Sequence, residues 1–158
     1  MPALRALGTG LALMASLSAG TAQALSCLQP DPARSYAQAA ASDEAFLVVT
    51  GEVTHDAGSG TNQETTQVPA RITGHFLKGS DFSEPMDIPV TLALSCVSVW
   101  CSSAPESGAQ VLAFLKETPT GYVLDLPPCG GWMFQDPRDD QIKAVTACHT
   151  GGSCEAGQ

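Results

Sequence analysis

Val68-Pro69-Ala70-Arg71-Ile72-Thr73-Gly74-His75-Phe76-Leu77-Lys78-Gly79 decides the fold of this chain. Val68, Ala70, Ile72, Gly74 and Phe76 alternate with Pro69, Arg71, Thr73, His75 and Leu77, which is the period of a strand with one face on a core, closing at Lys78-Gly79. The pattern recurs downstream. Ile88, Val90, Leu92, Leu94 and Cys96 face one way and Pro89, Thr91, Ala93 and Ser95 the other, with Pro89 marking an edge or a strand start.

Working outward, Phe46-Leu47-Val48-Val49-Thr50-Gly51-Glu52-Val53 is compact and β-branched, a strand buried on both faces for part of its length. Residues 55–63 are rich in Gly, Ser and Asp and read as an exposed connection. Residues 111–117 and 122–126 flank Thr118-Pro119-Thr120-Gly121 and form an antiparallel hairpin. Asp31-Pro32 starts a short helix over residues 33–44 with Tyr36, Ala37 and Ala40 on one stripe. Asp136-Pro137 starts a second helix that carries Ile142 and Val145 toward Cys148. The fold class is therefore all-β: five strands with a helix at each end, arranged as a small barrel with Greek-key connections.

Residues 1–24 are set apart from this domain. Arg5 supplies a positive start, Leu11 to Leu17 a short apolar run, and Thr21-Ala22-Gln23-Ala24 an Ala-x-Ala site, together the marks of a cleavable export signal too short to span a bilayer. A second cut after Ser26 would leave Cys27 as the new N-terminus. The domain is residues 25–158, which hold all six cysteines, Cys27, Cys96, Cys101, Cys129, Cys148 and Cys154. An even count in an exported chain implies disulfides before a metal site. Losing Arg5 takes the formal net charge from −9 to −10. A surface so acidic repels phosphate backbones and anionic headgroups, which argues against nucleic acid and membrane insertion. The compact signal, and Asn62 followed by Gln63-Glu64 with no glycosylation sequon, point to a secreted or periplasmic bacterial protein.

An N-terminal cysteine, a short helix, a strand ending in Gly51-Glu52-Val53 and a second ending in Phe76-Leu77-Lys78-Gly79 occur in that order. Cys101 then precedes Gly108 and the strand Val111-Leu112-Ala113-Phe114, and a hairpin closes on Cys129-Gly130. Over residues 27–132 this resembles the netrin-like domain, the family that includes the N-terminal domain of tissue inhibitors of metalloproteinases. The resemblance implies a five-stranded barrel of the oligonucleotide/oligosaccharide-binding type, disulfides, and binding of a protein partner rather than catalysis. In the inhibitors an N-terminal cysteine chelates the protease zinc through its amine and carbonyl, which here would require the cut after Ser26 to free Cys27. Leu28 and Gln29 depart from the family's Cys-x-Cys opening.

Six cysteines allow 15 connectivities. With the family pattern as guide, the pairing expected is Cys27 with Cys129, Cys96 with Cys101 and Cys148 with Cys154, and the main rival joins Cys27 to Cys96 or Cys101. Val97-Ser98-Val99-Trp100 has three apolar residues in a loop region, which the family geometry would place beside Cys27, so Cys27, Leu28, Val97, Ser98, Val99 and Trp100 are the expected contact residues. Structurally, Trp100 and Trp132, each next to or near a cysteine, are expected to pack on disulfides, with an exposed anchor as the alternative.

The remaining polar groups suggest no reaction centre. Cys148-His149 with Cys154 matches no common zinc spacing, and His55 and His75 read as exposed. Ser98, Ser102, Ser103 and Ser107 lack an elbow motif or a paired base, while Asp43-Glu44 and Asp139-Asp140 lie at helix ends. The expectation is a monomeric, non-catalytic module with no cofactor and no metal, whose partner is a protein, a protease among the candidates. A small secreted hydrolase is the third reading.

Overall fold

The computed structural model describes residues 27–56 and 66–154. The export signal, its cleavage site and most of the 55–63 connection lie outside them. The elements are α1 (Pro32–Ala40), β1 (Phe46–His55), β2 (Thr66–Lys78), β3 (Asp81–Leu94), β4 (Cys96–Val97), β5 (Trp100–Cys101), β6 (Ala109–Thr118), β7 (Gly121–Leu126), β8 (Met133–Gln135) and α2 (Asp139–His149).

Five of these strands close on themselves. The order is β1-β2-β3-β7-β6, and β6 pairs back onto β1. Every neighbouring pair in the ring is antiparallel except β3 and β7, which run side by side from Val90 opposite Tyr122 to Leu94 opposite Leu126. This is the five-stranded Greek-key barrel expected of the sequence, of the oligonucleotide/oligosaccharide-binding type. β8 adds a sixth strand on β6, with Leu112 opposite Phe134.

Two apolar layers form on the two faces of the same strands. Val49, Val53, Ile72, Leu92, Val111, Leu115 and Leu124 fill the barrel. Val48, Leu112 and Phe114 point the other way, onto Ala39 of α1, Phe134 of β8 and Val145 of α2. A strand in the middle of this sandwich must be apolar at consecutive positions, as β6 is from Val111 to Leu115 and β1 is at Val48 and Val49. Burying each such side chain contributes about 1.5–3 kcal/mol.

β1 and β2 bend over one another at a pair of glycines, Gly51 opposite Gly74. A Cβ on Gly74 would lie 2.5 Å from the Gly51 Cα and against the Thr50 carbonyl oxygen; one on Gly51 would lie 2.9 Å from the Gly74 Cα. Only backbone without side chains allows that approach, which coils the sheet tightly enough to close the ring.

Several elements differ from the sequence reading. α1 ends at Ala40, not at residue 44, and buries Pro32, Ala33, Ser35 and Ala39 while Ala37 and Ala40 face outward. Ser35 sets that rotation: its hydroxyl donates to the carbonyls of Asp31 and Gly131, which draws its side of the helix inward. α2 begins at Asp139 with Arg138 as its N-cap. Asp136 does not cap it, because its amide donates to the Gln110 carbonyl and keeps it on β6. β3 starts at Asp81, well before residue 88, as the return arm of a long hairpin with β2. Pro85 and Pro89 lie inside that arm, opposite His75 and Arg71. A proline nitrogen cannot join the β2 ladder, so both rings face the outer edge of β3, which no described strand covers before Val90.

Replacing Gly74 by Ala forces backbone apart rather than a flexible side chain. The variant is expected to lose about 2 kcal/mol or more of stability in urea unfolding, and an unchanged midpoint would show that the close approach does not constrain the barrel.

Candidate protein-contact site

The parallel pair β3 and β7 sends both chains out of the same end of the barrel. The Ser95 amide still reaches the Leu126 carbonyl at 3.3 Å and the Ser102 Oγ at 3.0 Å. Ser102 returns the contact, its amide donating to the Ser95 carbonyl at 3.0 Å. On this base stands a small hairpin, Cys96 opposite Cys101 and Val97 opposite Trp100, with Ser98 and Val99 at its tip. The segment expected as a loop is thus a two-stranded hairpin. Ser98 has φ 58°, the left-handed conformation that the first residue of a tight primed turn adopts, usually glycine. The disulfide Cys96–Cys101 closes the base.

From the same end, Leu126 leads through Pro127 and Pro128 to Cys129, which is bonded to Cys27 across a sequence separation of 102. The turn after it is held at two further points. Gly130 abuts Pro30, where a Cβ would come within 3.4 Å of the ring, and the Gly131 carbonyl accepts from Ser35. The N-terminal segment carrying Leu28 is therefore tied to the chain that follows β7. The third bond, Cys148–Cys154, ties the end of α2 to the chain beyond it. These are the three pairs set out from the sequence.

Among the described residues the exposed large hydrophobic side chains are Leu28 at 72%, Val97 at 52%, Val99 at 79% and Trp100 at 58%. All four lie on the two segments just described. Trp100 is exposed and stands outside both core layers. Trp132 instead belongs to the core, stacked on Phe46 at 5.0 Å between ring centroids and edge-on to Phe114 at 6.2 Å.

The polar groups weighed in the sequence take structural positions. His55 is no free loop residue: its amide donates to the Ser107 Oγ at 2.9 Å and its ring nitrogens face the carbonyls of Asp56 and Pro105, pinning the end of β1 to the 105–108 segment. His149 Nδ1 lies 2.8 Å from the Tyr36 hydroxyl, whose pKa is raised by burial. Asp140 takes two hydrogen bonds from the Arg138 guanidinium, each 3.0 Å, which hold its carboxyl below the usual range and raise the arginine. Glu44 lies 3.6 Å from the Lys116 ammonium. Among the described residues no group of three or more His, Cys, Asp and Glu could hold a metal ion, and no helix is long and apolar enough to cross a membrane.

Between the N-terminal segment and α2 lies a cleft of about 560 Å³ that contains Arg34 and Arg138, brought together from opposite ends of the chain. Nothing in the local pattern around either arginine signals it. Compared with protein-family models, curated proteins and solved structures, the chain matches none of them.

The bond across the long separation constrains the unfolded chain far more than the one in the hairpin. Replacing Cys27 and Cys129 together by Ser is expected to cost on the order of 4–5 kcal/mol, and replacing Cys96 and Cys101 about 2 kcal/mol. Denaturant titration of the two variants checks this, and equal losses would contradict it.

Proposed function

We propose that this chain is an exported, disulfide-stabilised, netrin-like binding module, which holds another protein through Leu28 and the hairpin tip Val97–Trp100 and catalyses nothing. The observation that carries the reading is that the exposed large hydrophobics of the described residues all lie on two cystine-anchored segments, the hairpin that follows β3 and the N-terminal segment bonded to the chain that follows β7. Elsewhere among the described residues such side chains are buried or half-buried, most of them in the two core layers. An apolar cluster kept in water by a cross-linked scaffold is a recognition surface, because rigidity removes the ordering cost that a flexible loop would bear on binding. Trp100 has the character of an anchor: large, with few rotatable bonds, and presented on a short hairpin.

Kinship with netrin-like domains is supported by the closed five-strand order, by the opening cysteine bonded to the one that follows the last barrel strand, and by a helix leading into the first strand. Export from the cytoplasm is supported by the three disulfides and the signal-like leader. The metalloprotease-inhibitor variant of this reading requires Cys27 at the N-terminus. Mass measurement of the natural product is expected to show Leu25 as its first residue, which removes that variant, whereas Cys27 as the first residue restores it.

The test of the module itself compares the oxidised mature protein with Val99→Ser/Trp100→Ser as bait, each cross-linked in the exported fraction of its own cells. A protein held by the parent should be lost or weakened by about tenfold or more in the variant, with the melting temperature preserved. Identical captured sets would refute the site.

A further inference from the structure

We infer that His55 is a proton-dependent clasp on the arm that carries the contact hairpin, closed while its ring is an imidazolium and opened when the ring loses a proton. The inference supplies a means of regulating the proposed contact site, and it rests on the binding-module reading for its biological sense.

The ring lies between two carbonyls. Its Nδ1 is 2.5 Å from the Asp56 oxygen and its Nε2 is 2.7 Å from the Pro105 oxygen, both within hydrogen-bond reach. A peptide carbonyl only accepts, whereas a neutral imidazole has one N–H and one bare lone pair. Only the imidazolium donates to both carbonyls at once. When a proton leaves, a lone pair is left facing an oxygen, and either the ring turns or that carbonyl withdraws. Both nitrogens belong to one rigid ring, so a turn that relieves one contact disturbs the other.

The charged groups that border the ring among the described residues leave room for a cation. Asp56 is next along the chain and Glu106 follows Pro105. Arg71 shares a shallow cleft with His55 on the β2 side and is bonded to Asp87 at 2.7 Å.

What the clasp holds is the return arm of the hairpin. Residues 102–108 lead from Cys101, at the base of the hairpin, to β6. The arm is fixed at its start, where the Ser102 amide donates to the Ser95 carbonyl, and at its end, where the Gly108 amide donates to the Val53 carbonyl at 2.7 Å. Between these points Pro105 is buried, and its carbonyl is the one that faces His55. The bond from the His55 amide to the Ser107 Oγ, 2.9 Å, does not depend on the charge of the ring and keeps the strand end in place in both states. Loss of the proton therefore loosens the middle of the arm without opening the barrel, and the tip Val97–Trp100 rides on that arm. Histidine changes charge between about pH 5 and 8, a range that an exported chain meets directly.

The test follows the oxidised mature protein, labelled with heavy nitrogen, by NMR from about pH 5 to 8. At the acid end both ring nitrogens of His55 should carry protons. The amides of Ser103, Glu106, Ser107 and Gly108 on the arm, and of Val99 and Trp100 at the tip, should shift with the midpoint of that ring. Exchange of the Gly108 amide, corrected for the intrinsic effect of pH, should quicken by about threefold or more across the transition. His55→Gln, which takes up no proton, should abolish these shifts, whereas His75→Gln and His149→Gln should leave them as in the parent. A His55 ring already neutral at the acid end, arm or tip amides that do not follow it, or the same titration in His55→Gln overturns the inference. The measurement involves no partner. Its failure with hairpin-dependent capture intact removes the clasp alone, and a working clasp in a protein that captures nothing removes the binding-module reading alone.

Discussion

Five strands become a ring through two pairings between distant strands, β6 back onto β1 and β3 beside β7 in the same direction, the latter with Leu94 opposite Leu126. β1 with β2, β2 with β3 and β6 with β7 are hairpin-like, and β1 with β6 is an antiparallel pairing between distant strands; β3 with β7, separated by β4, β5 and β6, is the parallel one. Parallel pairs have slanted bonds and cannot be made by a tight turn. Their register is instead secured by side chains, here Leu92, Leu94, Leu124 and Leu126 in the barrel core. Because the two strands finish together, whatever follows them shares one end of the molecule. The hairpin follows β3, and Cys129 with its bond to the N-terminal segment follows β7. The position of the candidate site is a consequence of how the barrel closes.

The two core layers explain why some strands were legible in the sequence. β2 has one face on the barrel core, so its period of two stands out, with Val68 and Ile72 buried and Pro69 and Arg71 exposed; a register shift at Phe76/Leu77 breaks that period and buries Leu77, expected on the outer face, in the second layer. β6 is covered on both faces and reads as an unbroken apolar run. The first half of β3 gave no such signal, because Asp81, Ser83, Pro85 and Asp87 alternate with residues only half-buried. Its strand state comes from pairing with β2, a tertiary effect that local composition does not record. The early end of α1 has the same origin: Ala-rich sequence favours continuing, but the chain must turn into β1, and the Ala45 carbonyl is claimed by the Glu117 amide.

At the site, residue types near the cysteines were informative and spatial assembly was not. Val97, Val99 and Trp100 stood out as apolar residues outside a strand pattern, and their exposure follows from a hairpin too short to bury them. The hairpin itself was read as a loop, since two residues per arm leave no period to detect. Trp132 was misplaced because nearness to a cysteine in sequence says little about which ring it will meet; Phe46 lies far off along the chain. The arginine cleft depends wholly on α1 and α2 packing together, which neither helix encodes alone.

The two rings that face outward from the β3 border, Pro85 and Pro89, bear on how the molecule behaves in company. A naked sheet margin is a template on which a second copy can add and a third can follow. Along this margin alternate steps present a pyrrolidine where an amide proton would be needed, so a copy laid against it finds no continuous row of donors. A chain that exposes an apolar hairpin tip thereby gives fibre growth no foothold on this flank.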